Sequence, residues 1–345
     1  MQNKISFYII LASEILTVFL TSIGIFPREA VLILTGVMIF YFIFSRVEDS
    51  LILFIISIPF FIALPISENF DSMANWRILL AILFLCLFFK QGLSIKVIKD
   101  KLGRFRIKEK FKHYPMEYLV VLFLGIGALS LFVATDVIVG IKKILFLVNI
   151  FLLYIIIRNV IAKNKEMTPR IIKAGAVAGI ISLIVGYSQL IFVFLKPLYT
   201  FWQWWAKNVI SVFYGTNLSE LLAKSNTWFS YYPDSPPTLR MFSVFPDSHS
   251  FALFTIISLV FLTALWLIKT NYSKLVTILI ILSLFTLVFS GSRAIWLSAV
   301  VPFLLVIVLF ILKKKIKISE STTILIKPFI GMLLIFILAF PTSSL

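Results

Sequence analysis

The sequence predicts an all-α integral membrane protein, and three observations support this prediction. Of the 345 residues, 61% are hydrophobic and only 14% are charged, with a mean hydropathy of +1.06, whereas soluble domains are about half apolar. The apolar residues form repeated runs of about 20, the length that a helix needs to cross a bilayer. These runs are continuous, whereas the strands of a membrane barrel alternate polar and apolar residues over about ten positions, so the runs predict helices.

The runs predict about eleven transmembrane helices in one domain over residues 1–345. The first run lacks a small-residue cleavage site and is followed by many more spans, which favours a retained helix over a signal peptide. The one cysteine, Cys86, lies inside a run, where a small buried hydrophobe is the expected role. In chain order the predicted spans are 5–22, 30–45, 50–66, 77–90, 116–134, 137–157, 171–195, 249–268, 275–290, 294–312 and 324–342.

The distribution of Lys and Arg predicts the orientation of these spans, because basic loops resist translocation. With the N-terminus in the cytoplasm, about 23 of the 32 basic residues lie on the inner side. The basic loops 90–115, 158–170 and 313–317 are then cytoplasmic. Most of the net charge of +17 is therefore a topology signal, with attraction to anionic membrane lipids, and it gives no support to nucleic-acid binding.

One long segment, 196–248, is too polar to span and lies on the outer side in this topology. Aromatic rings with a polar group are stable at the headgroup level, so part of the segment is expected to lie on the membrane as short interfacial helices. A proline cluster should then break the helix and turn the chain back towards the bilayer. The residues concerned are Trp202, Trp204, Trp205 and Trp228, and Pro233, Pro236 and Pro237.

The motif "SGSR", residues 290–293, connects the ninth and tenth spans on the outer side. Gly291 can supply a tight turn, and Arg293 then occupies a first helical turn, where the helix dipole disfavours a cation. A guanidinium beside helix N-terminal amides forms a good site for a phosphate group, and Ser292 is a further candidate to bind it. The alternative is that Arg293 only reaches the headgroups of ordinary lipids.

A second arginine lies on the same side in "RMFSVFPDSHS", residues 240–250. Arg240 precedes the eighth span, and Asp247 is a plausible N-cap for that helix. His249 adds a titratable group within one helical turn of Asp247, which could be an orienting carboxylate for it. The alternative is a helix cap beside a solvated histidine.

Three polar residues inside the spans are candidates to bind the same substrate. Lys142 and Lys143 lie about two turns below the outer surface, and they need an anion or a water-filled cavity unless they snorkel. Gln189 could line a cavity, although packing between helices is the first interpretation for it and for Glu14. With one Cys and two His residues, no metal site and no cofactor are expected.

These cations predict a multiply charged anion held at the membrane boundary. A lipid diphosphate that carries a sugar fits the charge and the location, and its diphosphate can leave without ATP. Cations aimed at the developing diphosphate charge would stabilise the transition state, and an acceptor hydroxyl would need a base.

At these residues the sequence resembles the O-antigen ligase and polymerase family of bacterial membrane glycosyltransferases. The resemblance covers about residues 110–312 and is strongest at 240–254 and 290–297. Arg240 matches the family's first arginine, Ser243 stands where glycine is usual, "FPDS" stands for a Pro-Asn element, and Arg293 in "SGSR" matches a later Ser-Arg pair.

The resemblance implies metal-independent transfer of a glycan from a polyprenyl-diphosphate donor to a hydroxyl of a glycan or lipid acceptor. The resemblance also implies that the reaction takes place on the outer face of the plasma (inner) membrane. The family's second large outer loop usually carries a histidine that activates the acceptor, and it should begin after the eleventh span. This chain stops at "FPTSSL", so it is either a fragment or fills that role with another residue.

Two other function classes remain open at the level of the sequence. A transporter or flippase of lipid-linked oligosaccharides would use the intramembrane charges to bind cargo without chemistry, and inverted repeats with broken helices would favour it. A non-catalytic membrane scaffold is the other alternative.

Overall fold

The computed structural model describes residues 2–66, 73–91, 115–224, 228–232, 234–268 and 273–296. Nearly all of its regular structure is helical, as the sequence predicts. The long helices are α1 (Gln2–Ser22), α2 (Ala30–Phe44), α3 (Val47–Ile56), α4 (Asn75–Gln91), α5 (Pro115–Ser130), α6 (Val137–Lys163) and α7 (Met167–Leu195). After a connecting segment of short elements follow α11 (Ser248–Leu267) and α12 (Ser273–Ser290).

The first nine predicted spans each contain a helix. Six of the described helices are long and apolar enough to cross a membrane, which confirms an all-α membrane protein but not the count of eleven. The other three, α2 to α4, are shorter. Only 293–296 of the tenth predicted span is described, as a helical turn, and the eleventh lies outside the described residues.

The third predicted span, 50–66, is helical only in its first half. Pro59 lies in a 3₁₀ turn, Ile58–Phe60, and beyond it the chain is extended, because a proline ring and its missing N–H disfavour a continued α-helix. Ala63 pairs with Ala74 in an isolated β-bridge. The predicted basic loop 158–170 is also shorter, since only 164–166 separate α6 from α7.

Helix α7 packs against both α3 and α11 and so joins the first helices of the chain to the last ones described. Its small residues allow close approach of α11. A Cβ added to Gly179 would lie 2.7 Å from the Ser258 Cβ, and one added to Gly175 would lie 2.6 Å from the Phe261 ring. Small residues at such crossings allow backbone packing where the hydrophobic effect no longer drives association.

A buried polar pair joins α1 to the turn after α3. Glu14 and Ser57 are both fully buried, and the Ser57 hydroxyl donates to Glu14 Oε2 at 2.5 Å. This contact is an interhelical hydrogen bond, the first interpretation that the sequence suggested for Glu14.

The segment between α7 and α11 folds into a compact cap. Its helical elements are α8 (Leu198–Trp205), a π turn (Ala206–Ile210), α9 (Ser211–Tyr214) and α10 (Thr216–Ala223). They are followed by an antiparallel hairpin of β1 (Phe229–Tyr232) and β2 (Ser235–Leu239), which the all-α prediction missed. Two of the prolines, Pro236 and Pro237, lie on β2 rather than at the end of a helix.

Three of the four tryptophans that the sequence places at the headgroup level are buried in this cap, and their depth in the membrane remains a prediction. The Trp202 ring contacts Trp228, and the rings of Trp205 and Trp228 both contact Phe242, whereas Trp204 is exposed. The reason is that the helices and the hairpin form a small aromatic core of their own, whose rings prefer edge and tilted contacts with each other.

Candidate functional site

The site is built around the stretch 240–247, which leads from the hairpin to α11. Main-chain hydrogen bonds fix its beginning: the Arg240 N–H donates to the Trp228 carbonyl at 2.8 Å, and the Met241 N–H donates to the Phe289 carbonyl of α12 at 2.9 Å. Met241 and Phe242 are fully buried. The backbone that carries Arg240 is therefore held between the cap and the end of α12.

Gln189 of α7 clamps the middle of this stretch. Its side-chain Nε2 donates to the Ser243 carbonyl and its Oε1 accepts from the Ser243 N–H, both at 2.8 Å. The Ser243 hydroxyl donates to the Ser182 carbonyl at 2.7 Å. All three residues are buried, so Gln189 positions the loop, and its predicted contact with substrate remains a prediction.

Ser243 has a φ of 54°, in the left-handed region that favours glycine. A serine tolerates this conformation at some cost, and the hydrogen bonds to Gln189 and Ser182 compensate for it. The conformation gives a physical reason for a glycine at this position.

Arg240 lies against the turn that precedes Arg293. Gly291 has a φ of 63°, and a Cβ added to it would lie 3.2 Å from Arg240 Nε and 3.4 Å from Arg240 Cδ. The same Nε donates to the Ser230 hydroxyl of β1 at 3.0 Å. The Arg240 side chain therefore lies beside Gly291, which precedes Arg293 by two residues in the chain. Arg293 is partly exposed and begins the helical turn 293–296.

Asp247 is the N-cap of α11. Its two carboxylate oxygens accept from the Ser250 N–H at 2.8 Å and from the Ser250 hydroxyl at 3.1 Å. Burial, and then the nearby Asp247 carboxylate, raise the pKa of Tyr214, whose hydroxyl donates to the Val244 carbonyl at 3.0 Å. The carboxylate is engaged by Ser250, so the described contacts support a capping role for it rather than contact with His249.

The starts of α11 and of the turn 293–296 are joined by two serines. The buried Ser292 hydroxyl donates to the Ser248 hydroxyl at 3.4 Å. His249 follows Ser248 and is partly exposed. The motif residues Arg240, Asp247, His249, Ser292 and Arg293 are thus gathered at one end of the bundle, called the site end.

Lys142 and Lys143 lie elsewhere at the site end. Both side chains are exposed on the second turn of α6, a helix that packs mainly against α4 and α5. Phe146, one turn further along α6, contacts the Trp76 ring of α4 with 6.1 Å between the ring centroids. These contacts group the two lysines with the start of α4 and not with Arg240, and their predicted role in binding the same substrate remains a prediction.

Several residues of the site carry no recognisable sequence signal. Tyr214, Ser182 and Ser230 hold the stretch 240–247 through contacts that join distant parts of the chain. Only Ser243, at a position where the resemblance has glycine, offered a hint of an unusual backbone. No family model, no curated protein and no solved structure matches this chain.

Proposed function

We propose that this protein transfers a glycan from a polyprenyl-diphosphate donor to an acceptor hydroxyl at the outer face of the plasma membrane. The observation that carries the proposal is the contact between the Arg240 side chain and Gly291. Two arginine motifs, about 50 residues apart in the chain, meet at one turn, as a site for a multiply charged anion requires.

The arginines are suited to a diphosphate for reasons of chemistry. A guanidinium stays charged when it is dehydrated, and its planar fork binds two phosphate oxygens at once. When a bound substrate excludes water from the site, a charged donor there has a larger electrostatic effect than in bulk solvent. Arg240 and Arg293 would hold the diphosphate between them, beside the turn at Gly291.

The proposed reaction is a substitution at the anomeric carbon of the donor sugar. The acceptor oxygen forms the new glycosidic bond as the bond between the anomeric carbon and the diphosphate oxygen breaks, and the polyprenyl diphosphate leaves. The two arginines stabilise the charge that develops on the leaving group. The acceptor proton passes to a base, for which His249 is the candidate, because Asp247 is engaged with Ser250.

The hydrogen bonds that hold the backbone of 240–243 favour a role in binding substrate over chance proximity of two surface arginines. The backbone of 240–243 is bound to the hairpin, to α12 and to α7 by the hydrogen bonds of Arg240, Met241 and Ser243. A preorganised donor avoids reorganisation at the moment of reaction, whereas an arginine that only reaches lipid headgroups needs no such support.

The proposal is tested by substituting Arg293→Lys and Arg240→Lys. Lysine keeps the charge and the membrane anchoring but lacks the planar fork, so we expect each variant to lose transfer by about a hundredfold or more. Transfer is measured in membranes with a polyprenyl-diphosphate-linked glycan and its acceptor, with the amount of inserted protein checked in parallel.

Arg46→Lys is the matched control, since Arg46 is exposed at the N-terminus of α3, at the other end of the bundle. It should retain full transfer. Near-normal transfer by both site variants would overturn the proposal. Movement of the lipid-linked glycan across the bilayer without a new glycosidic bond would instead favour the transporter.

A further inference from the structure

A second group of cations lies at the site end, around the start of α4. Arg28 precedes α2, Arg77 lies in the first turn of α4, and Lys142 and Lys143 lie in the second turn of α6. We propose that this group binds the phosphate of an anionic membrane lipid, at a site separate from Arg240 and Arg293. The proposal does not depend on the glycan-transfer function.

Ring contacts bring the cations of α4 and α6 together. The Arg77 guanidinium carbon lies 5.5 Å from the centroid of the Trp76 ring, and the same ring contacts Phe146 of α6. Lys142 and Lys143 precede Phe146 by four and three residues, positions that share a helix face with it. The lysines therefore lie one turn from the contact that seats Arg77.

Arg28 joins the same group through the extended chain after α3. Its guanidinium donates to the Ala63 carbonyl at 3.5 Å, and Ala63 is bridged to Ala74. The Arg77 N–H donates to the Ala74 carbonyl at 3.2 Å. The Arg28 side chain and the Arg77 backbone are thus both bonded to the bridge between Ala63 and Ala74. The lipid phosphate would lie between α4 and this bridge.

The start of α4 also holds a buried side-chain amide, that of Asn75, whose nitrogen has no hydrogen-bond partner. Asn75, the first residue of α4, is 0% exposed, and its Oδ1 accepts from the Ile62 N–H at 3.1 Å. This bond fixes the amide orientation and leaves Nδ2 as a donor at the helix N-terminus. Within the described part of the chain, Asn75 Nδ2 and Arg77 Nε are buried without a hydrogen-bond partner, a costly arrangement that an anion would relieve.

The surroundings favour a lipid over a dissolved anion. Apolar side chains on the first turns of α6 are exposed beside the lysines, and in a membrane such a face lies against acyl chains. Lysine stems can cover this apolar surface while their charges reach the headgroup layer. The exposed residues include Ile138, Ile141, Leu145 and Phe146.

Two described carboxylates lie close to these cations in the chain. Asp136 caps α6 by accepting from the Val139 N–H at 2.9 Å, and Glu29 is exposed beside Arg28. The N-terminus of α4 adds its positive potential to that of Arg77, Lys142 and Lys143, which favours an anion there.

The test measures binding of pyrene-labelled phosphatidylglycerol to the purified full chain in detergent, with pyrene-labelled phosphatidylcholine as the neutral lipid. We expect the protein to prefer phosphatidylglycerol. The double variant Arg77→Gln, Lys142→Gln should bind it about tenfold more weakly, because two charge-assisted contacts are lost. Lys142→Gln alone, an exposed and structurally mild change, should give part of this loss.

The matched control is Arg46→Gln, Lys163→Gln, which removes one Arg and one Lys from exposed positions at the other end of the bundle. It should bind phosphatidylglycerol like the wild type. An equal loss in the control would mean general charge attraction, and displacement by millimolar inorganic phosphate would mean a free-anion site. Either result would overturn the lipid assignment, as would equal binding of the two lipids by the wild type.

Discussion

The two cation groups at the site end are supported in opposite ways. The backbone around Arg240 is tied to the hairpin, to α7 and to α12 by hydrogen bonds that are buried. Lys142 and Lys143, in contrast, are exposed on a helix face that also exposes large apolar side chains. A group that acts on a reacting centre must be preorganised, whereas a group that attracts a mobile headgroup needs only charge and reach.

This difference predicts which substitutions each region tolerates. In the enclosed region, changes of backbone shape should matter even when they leave every charge in place. In the exposed region around Lys142 and Lys143, changes of charge should matter and changes of shape should not. Substitutions at Gly291, Gln189 and Asp247 test the enclosed region, each with a control from another part of the chain.

Gly291→Val should have the largest effect, because it combines backbone strain with a collision. Gly291 has a φ of 63°, and a Cβ there would lie 3.2 Å from Arg240 Nε. Arg240 would have to move and weaken its bond to Ser230. Since a displacement of about 1 Å can cost a hundredfold in rate, we expect transfer to fall by about that factor.

Gly24→Val is the control for this experiment. Gly24 also has a positive φ, of 80°, but a Cβ added to it would meet nothing within 4 Å. The two variants share a strain of about 1–3 kcal/mol, so both should lower the unfolding temperature in detergent. Only Gly291→Val should lose transfer per folded molecule, and equal losses would mean that the contact with Arg240 has no catalytic consequence.

The helices were predictable because their signal is local. Apolar runs of the required length mark α1, α6 and α7 wherever they later pack, since the bilayer sets the length of each helix. The capping role of Asp247 was similarly readable from its place before an apolar run.

The grouping of the cations was not predictable in the same way. The sequence combined Lys142 and Lys143 with the two motif arginines because all four belong to one side of the predicted topology. Which helices are neighbours depends on packing over long distances, and the contact between Trp76 and Phe146 associates α6 with the start of α4. The hairpin was missed because its prolines lie on β2, where a proline is tolerated at a sheet edge.

Gln189→Leu should have the second largest effect, mainly on stability. The change removes two hydrogen bonds and leaves the Ser243 N–H and carbonyl buried without their partner. Hydrogen bonds inside membrane proteins contribute about 0.6 kcal/mol each on average and up to about 1.7. We therefore expect a loss of about 2 kcal/mol in the free energy of unfolding, with transfer reduced as the loop loosens.

Gln203→Leu is the control, because Gln203 is exposed on α8, and it should leave stability and transfer nearly unchanged. Ser243→Gly sharpens the result. It relieves the left-handed strain but loses the bond to Ser182, so the two effects of about 1 kcal/mol each should nearly cancel. A large loss for Ser243→Gly would contradict the account of this position.

The smallest effects are expected from two matching helix caps, one in each region. Asp247 caps α11 and Asp136 caps α6, each through an N–H three residues on, at 2.8 Å and 2.9 Å. Replacing either with Ala should lower the free energy of unfolding by about 1 kcal/mol, measured by denaturation in detergent. The consequence for activity should differ, because α11 presents His249 and joins Ser248 to Ser292, whereas the start of α6 carries Lys142 and Lys143, which the proposed transfer reaction does not use. Asp247→Ala should therefore slow transfer severalfold while Asp136→Ala leaves it unchanged.

Asp247→Asn, which keeps a capping oxygen but removes the charge, should retain most of the transfer if the carboxylate serves mainly as a cap. If Asp247→Asn is as inactive as an arginine variant, the carboxylate takes part in the chemistry and the assignment of the base to His249 is wrong.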